Sequence, residues 1–281
     1  MTQKKKRILI IICAVLAVIS ALGVWVAIEN SRIVIGDYTV MSDNLPESFY
    51  SYRIAHVSDL HNAEFGDENA KLLKVLQRCS PDIIAITGDI IDSNKTDIDV
   101  AIRFTKEAMK IAPCYYVTGN HESNLTDETY LEFENALIKE GVVVLRNRAT
   151  SIEIGGEKIN LIGIDDPAFT GETPSAEFIN EFCEEDSFNV LLAHRPEYFN
   201  EYTMSDADLV LSGHAHGGQF RLPFVGGLVA PGQGLFPEYD SGIFESNGTT
   251  MVVSRGLGNS IIPVRFNNPP EVVLIFLKCN V

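Results

Sequence analysis

Short runs of Val, Ile and Leu that end in aspartate, asparagine or histidine constrain this chain more than any other feature. Parallel strands deliver the residues at their carboxyl ends to one edge of a sheet, so we expect these polar side chains to meet. Five of the six histidines lie in such blocks, which favours a metal site over unrelated core and surface histidines. The five blocks are Ser58-Asp59-Leu60-His61, Thr87-Gly88-Asp89, Gly119-Asn120-His121-Glu122, Ala193-His194-Arg195 and Ser212-Gly213-His214-Ala215-His216.

The hydrophobic pattern between the blocks alternates strands with helices, which requires crossover connections and predicts a mixed or parallel sheet. It also predicts a hairpin about Gly155-Gly156, loops over the site between 217 and 242, and a core position for His56 in the middle of a strand. Helices are predicted over 68–79, 97–111, 127–139 and 175–183, and near Glu197; strands are predicted over 53–58, 82–87, 114–118, 142–145, 188–193, 208–212, 249–254 and 272–277, the last two in a hairpin-like C-terminal region.

The N-terminal segment predicts a membrane anchor. Residues 8–28 carry no charge, and 21 residues of helix span about 31 Å, the thickness of a bilayer's hydrocarbon core. Four basic residues, 4–7, precede the segment, so the positive-inside rule places residues 1–7 in the cytoplasm and the rest of the chain outside. The alternative is a cleaved signal peptide ending near Ala21-Leu22-Gly23, but the apolar run is longer than an ordinary signal segment. We therefore expect a single-pass protein of the cell membrane.

The remaining chain is predicted to form a connector over 29–49, with a short strand or hairpin about Gly36-Asp37, and a globular domain over 50–281. That length is enough for a well-buried core. The formal net charge is −16, which makes a poor surface for nucleic acid, so nucleic acid is not an expected partner. The acidity does not exclude a phosphate substrate, because bound divalent cations reverse the local charge.

In their order along the chain, the five blocks resemble the calcineurin-like metallophosphoesterase superfamily, and the flanking serine and glycines fit as well. The resemblance implies an α/β fold with two packed mixed β-sheets flanked by helices and two metal ions at the strand ends. A narrower resemblance is to the bacterial membrane-anchored or exported phosphoesterases of the YkuE and YaeI type. It rests on the anchor, Ile164-Asp165-Asp166-Pro167, His194-Arg195-Pro196-Glu197 and Ser254-Arg255-Gly256-Leu257-Gly258.

The resemblance implies a ligand set for two divalent metal ions per chain. Carboxylate, amide and imidazole donors suit Mn²⁺, Zn²⁺ or Fe, and the lack of cysteine ligands argues against a structural zinc site. Paired ions would lower the pKa of a shared water and hold the phosphoryl oxygens during in-line attack. One ion would be held by Asp59, His61, Asp89 and His216, and the other by Asp89, Asn120, His194 and His214, with Asp89 as the bridge.

His121 is implied to stand outside the ligand set, where it would contact the phosphate or protonate the leaving oxygen. An imidazole in that role needs an orienting acceptor, and Asp92 occupies the implied position. The alternative for Asp92 is a helix or turn cap, since Asp is a preferred cap residue. Arg195 and Arg255 are candidates for contact with substrate phosphate, but arginines near strand ends more often form surface ion pairs.

Together these features predict a membrane-anchored, extracytoplasmic metallophosphoesterase that hydrolyses a phosphomonoester, phosphodiester or pyrophosphate. A lipid-linked or cell-envelope phosphoester is one expected substrate, because a single anchor keeps the site near the bilayer. The alternatives are a broad-specificity phosphodiesterase for small soluble esters and a catalytically silent metal-binding module. The complete ligand set weighs against the silent module, because loss of catalysis normally leaves a gap in such a set.

Overall fold

The computed structural model of the protein describes residues 2–260 and 262–279, and two six-stranded sheets dominate that part of the chain. In spatial order, the first sheet contains β1 (Val34–Met41), β16 (Glu271–Lys278), β2 (Arg53–Val57), β3 (Ile83–Thr87), β4 (Cys114–Val117) and β5 (Val143–Val144). The second contains β14 (Gly242–Ser246), β15 (Thr249–Val253), β9 (Leu209–Ser212), β8 (Phe188–Leu192), β7 (Glu157–Gly163) and β6 (Arg148–Ile154).

Helices cover the outer faces of both sheets, and two small hairpins follow β9. The hairpins are β10 (Arg221–Leu222) with β11 (Gly226–Gly227), and β12 (Val229–Ala230) with β13 (Gly234–Leu235). The helices are α1 (Gln3–Ser31), α2 (Ala70–Cys79), α3 (Ile98–Ala108), α4 (Asn120–Ser123), α5 (Asp127–Lys139), α6 (Pro167–Thr170), α7 (Ala176–Asn180) and α8 (Phe199–Tyr202), with 3₁₀ turns at Glu47–Phe49, Asp67–Asn69, Pro196–Tyr198 and His216–Gly218.

The two sheets pack face to face. Aliphatic side chains of β2, β3 and β16 meet those of β8, β9 and β15 in one buried cluster between the sheets. A second cluster lies between the first sheet and α2, α3 and α5, and a third lies between the second sheet and α7 and α8. The predicted fold, two mixed sheets flanked by helices, is confirmed.

Parallel pairing places the metal-site blocks at one rim. Strands β2 to β5 are parallel to one another, and so are β7, β8, β9 and β15. The predicted alternation of strands and helices is therefore confirmed in both sheets. The predicted helix over 127–139 coincides with α5, the hairpin about Gly155-Gly156 joins β6 to β7, and the predicted helix over 175–183 is shorter, because α7 ends at Asn180.

Two parts of the chain form strands that pair over long distances. Of the two alternatives predicted about Gly36-Asp37, the strand is confirmed and the hairpin is wrong, because residues 34–41 form one edge strand, β1, which runs parallel to β16. The C-terminal region is a hairpin only as far as β14 and β15, because β16 crosses to the first sheet and pairs with β1 and β2. In both cases the partner strand is more than 200 residues away in the chain, so no local pattern shows the pairing. The domain boundary at residue 50 stays a prediction, although β1 is part of the first sheet.

His56 lies in β2 and is fully buried, as its mid-strand position predicts. Its Nε2 is 2.7 Å from Thr87 Oγ1, so the ring has a polar partner inside the core. Burial without a nearby carboxylate disfavours the charged ring and lowers the pKa of His56 to about 3.

Helix α1 is exposed along most of its length. Thr2 caps its N-terminus, and its uncharged centre makes it a candidate membrane span by length and composition.

Candidate metal centre

The carboxyl ends of five strands deliver all the predicted site residues to one buried rim. Asp59 and His61 follow β2, Asp89 follows β3, and Asn120 and His121 follow β4. His194 follows β8, and His214 and His216 follow β9. The first sheet therefore supplies five of these side chains and the second sheet supplies three, across the seam where the sheets meet.

The first of two ligand clusters lies between Asp59, His61 and His216. The Nε2 atoms of the two imidazoles are 3.2 Å apart. His216 Nε2 is 3.4 Å from Asp59 Oδ1, and His61 Nε2 is 3.6 Å from Asp89 Oδ2. Four side chains thus turn lone-pair atoms toward one point, as one of the two predicted ligand sets requires.

The second cluster lies between Asp89, Asn120, His194 and His214. His194 Nε2 is 3.4 Å from Asp89 Oδ2 and 3.3 Å from Asn120 Oδ1. His214 turns its Nδ1 to the same point, 3.1 Å from His194 Nε2. His194 Nδ1 is 2.7 Å from the carbonyl oxygen of Thr87, an arrangement that puts the ring proton on Nδ1 and leaves Nε2 free to bind a metal ion.

Asp89 belongs to both clusters through a single oxygen. Its Oδ1 accepts the backbone N–H of His121 at 2.8 Å, which fixes the carboxylate. Its Oδ2 then lies within 3.6 Å of His61 Nε2 and 3.4 Å of His194 Nε2. This position is the one that a bridging ligand requires.

The charges in the site fit bound cations. Burial lowers the pKa of His61 to about 4 and holds the pKa of His214 and His216 well below the ordinary value, so these rings are neutral donors near pH 7. Among the described residues, the ion-pair partners of the Asp59 and Asp89 carboxylates are histidines. Two buried carboxylates beside the neutral imidazoles of His61, His214 and His216 are an arrangement that divalent cations stabilise.

One imidazole differs from the others in its protonation. Burial opposes the charged form of His194, but the Asp89 carboxylate outweighs burial and raises the pKa of His194 to about 10. The same pair holds the pKa of Asp89 well below its usual range, since His194 outweighs the burial that opposes ionisation. Without metal, a proton between these two groups occupies the place that a cation would take, so metal binding and proton release are linked.

The backbone at the ligands is unusual. Asp59, His61, Asp89, His214 and His216 have φ values between 47° and 63°, in the left-handed region that residues with a side chain rarely adopt. Such conformations cluster at functional sites, where the surrounding structure holds them. The strand ends thus hold these candidate ligands at some cost in backbone strain.

Gly213 permits the closest approach of the two sheets at the site. A Cβ atom at this position would lie 1.8 Å from Ser58 Oγ and 2.4 Å from Asp59 Oδ2. Only glycine leaves room for the β9 end to pass the β2 end, so its place before His214 has a steric reason.

Comparison with known proteins agrees with this geometry. Residues 52–218 match the calcineurin-like phosphoesterase family. The chain belongs to this family. It is 30% identical over 260 residues to the uncharacterized metallophosphoesterase YkuE of Bacillus subtilis (strain 168), covering 89% of this chain and 87% of that protein. It is 31% identical over 268 residues to an uncharacterized metallophosphoesterase of Aquifex aeolicus, covering 92% and 96%.

Two further similarities concern the anchor and the fold. A protein of Danio rerio, described as a transmembrane protein with metallophosphoesterase domain, is 28% identical over 284 residues, which cover 96% of this chain and 62% of that one. The solved structure of the sulfate thiohydrolase SoxB of Thermus thermophilus superposes with a TM-score of 0.50 at 12% identity, over 83% of this chain and 57% of that chain, and shows the fold alone. The family and the clustered ligands make this chain a metal-dependent phosphoester hydrolase.

In this metallophosphoesterase, His121 lies beside the ligand clusters with its ring largely buried. The backbone N–H of Ser93 donates to Nδ1 at 3.1 Å, and Nε2 is 3.1 Å from Ser260 Oγ. Asp92 Oδ1 is 3.4 Å from Nδ1, but the same oxygen accepts the backbone N–H of Asn94 at 2.9 Å. The turn-cap role of Asp92 therefore has a hydrogen bond, whereas its role as orienting acceptor has only an approach to an Nδ1 atom that already accepts the Ser93 N–H.

The two arginines considered as phosphate contacts are both paired with carboxylates. Arg195 makes a bidentate pair with the buried Asp166, with Nε 2.7 Å from Oδ2 and Nη2 3.1 Å from Oδ1. Arg255 Nε lies 3.9 Å from Glu271 Oε1. The ion-pair interpretation fits both side chains better than a free phosphate contact does.

Two residues of the site were not assigned a role from the sequence. Glu122 is fully buried, and its carboxylate accepts four backbone N–H groups from the loops after β3 and β4. It lies three residues after Gly119, which is the spacing of a capping box, so the sequence does carry a signal for this residue. Arg265 is also fully buried, with Nη2 3.3 Å from His216 Nδ1 and Nη1 donating to the Arg255 carbonyl at 2.6 Å. No local pattern marks Arg265, because its partners come together only in the fold.

Proposed function

We propose that this chain holds two divalent metal ions and hydrolyses a phosphoester or pyrophosphate bond outside the cytoplasm. The observation that carries the proposal is the position of Asp89 Oδ2, a carboxylate oxygen within 3.6 Å of imidazoles from both ligand clusters. The proposed ligands of one ion are Asp59, His61, Asp89 and His216, and those of the other are Asp89, Asn120, His194 and His214.

The bound ions would supply a water of lowered pKa and positive charge beside the phosphoryl oxygens. The chain's own residues position these groups: the His121 N–H holds Asp89 Oδ1, and the Thr87 carbonyl fixes the His194 tautomer. The His121 ring packs edge-on against His61, with centroids 4.4 Å apart, and we assign its Nε2, beside Ser260 Oγ, as the donor of a proton to the leaving oxygen. With this arrangement no covalent protein nucleophile is required. Oxygen and imidazole donors suit Mn²⁺, Zn²⁺ or Fe.

Helix α1 is the proposed membrane anchor, with residues 1–7 in the cytoplasm and the metallophosphoesterase domain outside. The basic residues 4–7 in the first turns of α1 support this orientation, and the transmembrane relative supports a membrane span. Protease added to intact cells or protoplasts should cleave beyond Ile28 while a cytoplasmic marker survives. Protection of the domain in sealed cells would overturn the orientation, and a soluble product that begins at Val24 would indicate a cleaved signal instead.

A substrate panel tests the activity. The metal-stripped full chain would be reloaded with Mn²⁺, Zn²⁺ or Mg²⁺ and assayed on phosphomonoesters, phosphodiesters and pyrophosphates, with Asp89→Asn as the matched inactive control. We expect hydrolysis that requires metal and is lost in Asp89→Asn. A chain that binds metal but hydrolyses nothing in the panel would identify a silent metal-binding module and refute the proposal.

A further inference from the structure

The C-terminal end of α1 is fixed to the loop that precedes β16. The Trp25 ring packs edge-on against Phe266, with centroids 4.9 Å apart. Asn30 pairs with both backbone groups of Arg265: its Nδ2 donates to the carbonyl at 2.9 Å, and its Oδ1 accepts the N–H at 2.9 Å. An aromatic contact and two reciprocal hydrogen bonds fix both position and rotation, so α1 is docked on the domain at this end.

The same loop forms a wall of the metal centre. The buried guanidinium of Arg265 reaches within 3.3 Å of His216 Nδ1, and Ser260 Oγ is 3.1 Å from His121 Nε2. Asn30 lies two residues beyond the uncharged segment, about 3 Å along the helix axis, and therefore at the level of the lipid headgroups. The wall of the metal centre is thus held close to the membrane surface.

The docking contacts also give the direction of the loop. Trp25 precedes Asn30 by five residues, which places it about 7.5 Å closer to the bilayer centre. Arg265 contacts Asn30, and Phe266 contacts Trp25. The loop therefore runs toward the membrane from Arg265 to Phe266.

Strand β10 runs in the same direction. Phe220 forms a parallel bridge with Phe266, and the N–H of Arg221 donates to the Phe266 carbonyl at 2.9 Å. The turn between β10 and β11, with Phe224 at its tip, consequently lies on the membrane side of the metal centre. Leu228 connects the second hairpin, β12–β13, to the first. Its N–H donates to the carbonyl of Phe220, before β10, and its carbonyl accepts the N–H of Phe236, after β13.

Both hairpins expose apolar side chains. Phe224 is fully exposed, and Leu235 and Phe236 are 69% and 62% exposed. A group of exposed large apolar side chains marks a surface that binds a membrane or another protein. In a chain with 38 acidic residues, none lies between Asp208 and Glu238, so the hairpins contribute no carboxylate of their own. The carboxylate of Asp240, which accepts the N–H of Gly227 and pairs with Arg221, is largely buried.

We propose that hairpins β10–β11 and β12–β13 enter the lipid bilayer beside α1, and that the metal centre acts on a phosphoester carried by a lipid of that leaflet. We assign the bilayer, and not a protein, as the partner of this surface because the hairpins lie beside the loop on which the anchor docks. A Trp near the end of a membrane span, with exposed Phe and Leu on adjacent hairpins, is a usual composition where a protein meets a membrane interface. The first part of the proposal rests on the proposed anchor α1, and the second part rests on the proposed hydrolase activity.

Depth-dependent quenching tests the insertion. The full chain would be placed in phosphatidylcholine–phosphatidylglycerol vesicles whose acyl chains carry bromine, a quencher of Trp fluorescence. The fluorescence that Phe224→Trp adds to that of Trp25 should be quenched. The matched control is Leu131→Trp, an exposed position on α5 beside the opposite edge of the first sheet, and its added fluorescence should not be quenched. Equal, weak quenching in the two variants would overturn the insertion.

A matched pair of esters tests the substrate class. Hexadecyl p-nitrophenyl phosphate in phosphatidylcholine vesicles and methyl p-nitrophenyl phosphate in solution share their leaving group and differ in the alkyl chain. We expect kcat/KM at least about tenfold higher for the hexadecyl ester, because its chain partitions into the bilayer. Phe224→Ser combined with Phe236→Ser should remove that preference and leave hydrolysis of the methyl ester unchanged, since both side chains are exposed and lie outside the metal clusters.

The outcomes are distinguishable. A preference that is absent, or that survives the double substitution, would overturn the lipid substrate even if the hairpins insert. If neither diester is cleaved, the same comparison would be made with hexadecyl phosphate and ethyl phosphate by release of inorganic phosphate. Failure of both pairs in a metal-loaded chain would contradict the proposed function and leave the quenching result to decide the insertion.

Discussion

The side-chain carboxylate of Glu122 accepts the backbone N–H of Asp89, with Oε2 and N 2.9 Å apart. The same carboxylate accepts the N–H groups of Ile90 and Ile91 at 2.9 and 3.2 Å and of Gly119 at 2.8 Å. One buried side chain thus holds the loop of Asp89, the proposed bridging ligand, against the loop that carries Asn120. Burial, aided by the Asp89 charge, raises the pKa of Glu122 to about 7.

Removing that carboxylate should loosen the metal centre. Glu122→Ala leaves four N–H groups without an acceptor, and a buried unsatisfied group costs about 1–3 kcal/mol. We expect the free energy of unfolding to fall by at least about 3 kcal/mol and metal affinity to fall with it; Glu122→Gln, which keeps an acceptor oxygen, should lose less. Denaturant unfolding and metal titration measure both effects. Glu132→Ala, on the exposed face of α5, is the control and should be near neutral.

The site was largely predictable because its residues sit at strand ends, where a local pattern carries the signal. Asp59, Asp89 and His194 each follow a buried strand, and the structure brings them together across the two sheets. The left-handed backbone at the ligands was not predictable, since it is imposed by contacts such as the close approach of Gly213 to Ser58. The sequence therefore predicted which residues come together, but it did not predict the backbone conformation that brings them together.

The fold was predictable where the periodicity is local and failed where pairing is distant. Helix α5 has both of its ends at the predicted residues because Thr126 caps it and its apolar positions repeat at helical spacing. For the segment that forms β1 the sequence left a strand and a hairpin open, because the partner of β1, β16, lies at the other end of the chain. Arg265 was missed for the same reason: its contacts with Asn30 and His216 join three distant segments.

Replacing His121 should separate catalysis from metal binding. If the ring acts on the substrate, His121→Ala should keep both metal ions and lose on the order of 10²–10⁴ in rate, the usual contribution of a positioned acid or base. His214→Ala should lose metal instead. The comparison is necessary because His61, Asp92 and His121 also present donor atoms within 4.8 Å of one another. Metal analysis and steady-state kinetics of both variants give the answer.

The leaving group then identifies the role of His121. An ester with a nitrophenolate leaving group needs no proton, so His121→Ala should slow it less than an ester with an alkoxide leaving group. Asp92→Asn should show the same dependence in milder form, because Asp92 would act through the ring. Equal losses for both esters would reject the acid role, and loss of metal from His121→Ala would place this histidine among the ligands.

His56 should contribute to the pH dependence of stability. The folded pKa is about 3, below the ordinary value of 6.5, so the unfolded chain takes up a proton that the folded chain does not. The contribution of His56 to the free energy of unfolding is therefore complete above pH 6.5. It is lost as the pH falls toward 3, by up to about 1.4 kcal/mol per pH unit. His56→Gln cannot titrate but can still contact Thr87. Denaturant unfolding of both proteins in detergent between pH 7.5 and 5 should show the wild-type chain losing stability faster; parallel curves would contradict the assignment.

The number of metal ions in an active preparation tests the central claim most directly. The stripped chain would be reloaded, freed of excess metal, and analysed by elemental analysis and phosphoester hydrolysis on the same sample. The account predicts two ions per chain in the wild type, one in Asp59→Asn, and loss of both ions or of their coupling in Asp89→Asn, since an amide cannot supply the bridging anionic oxygen. One ion or none in an active wild-type preparation would contradict it.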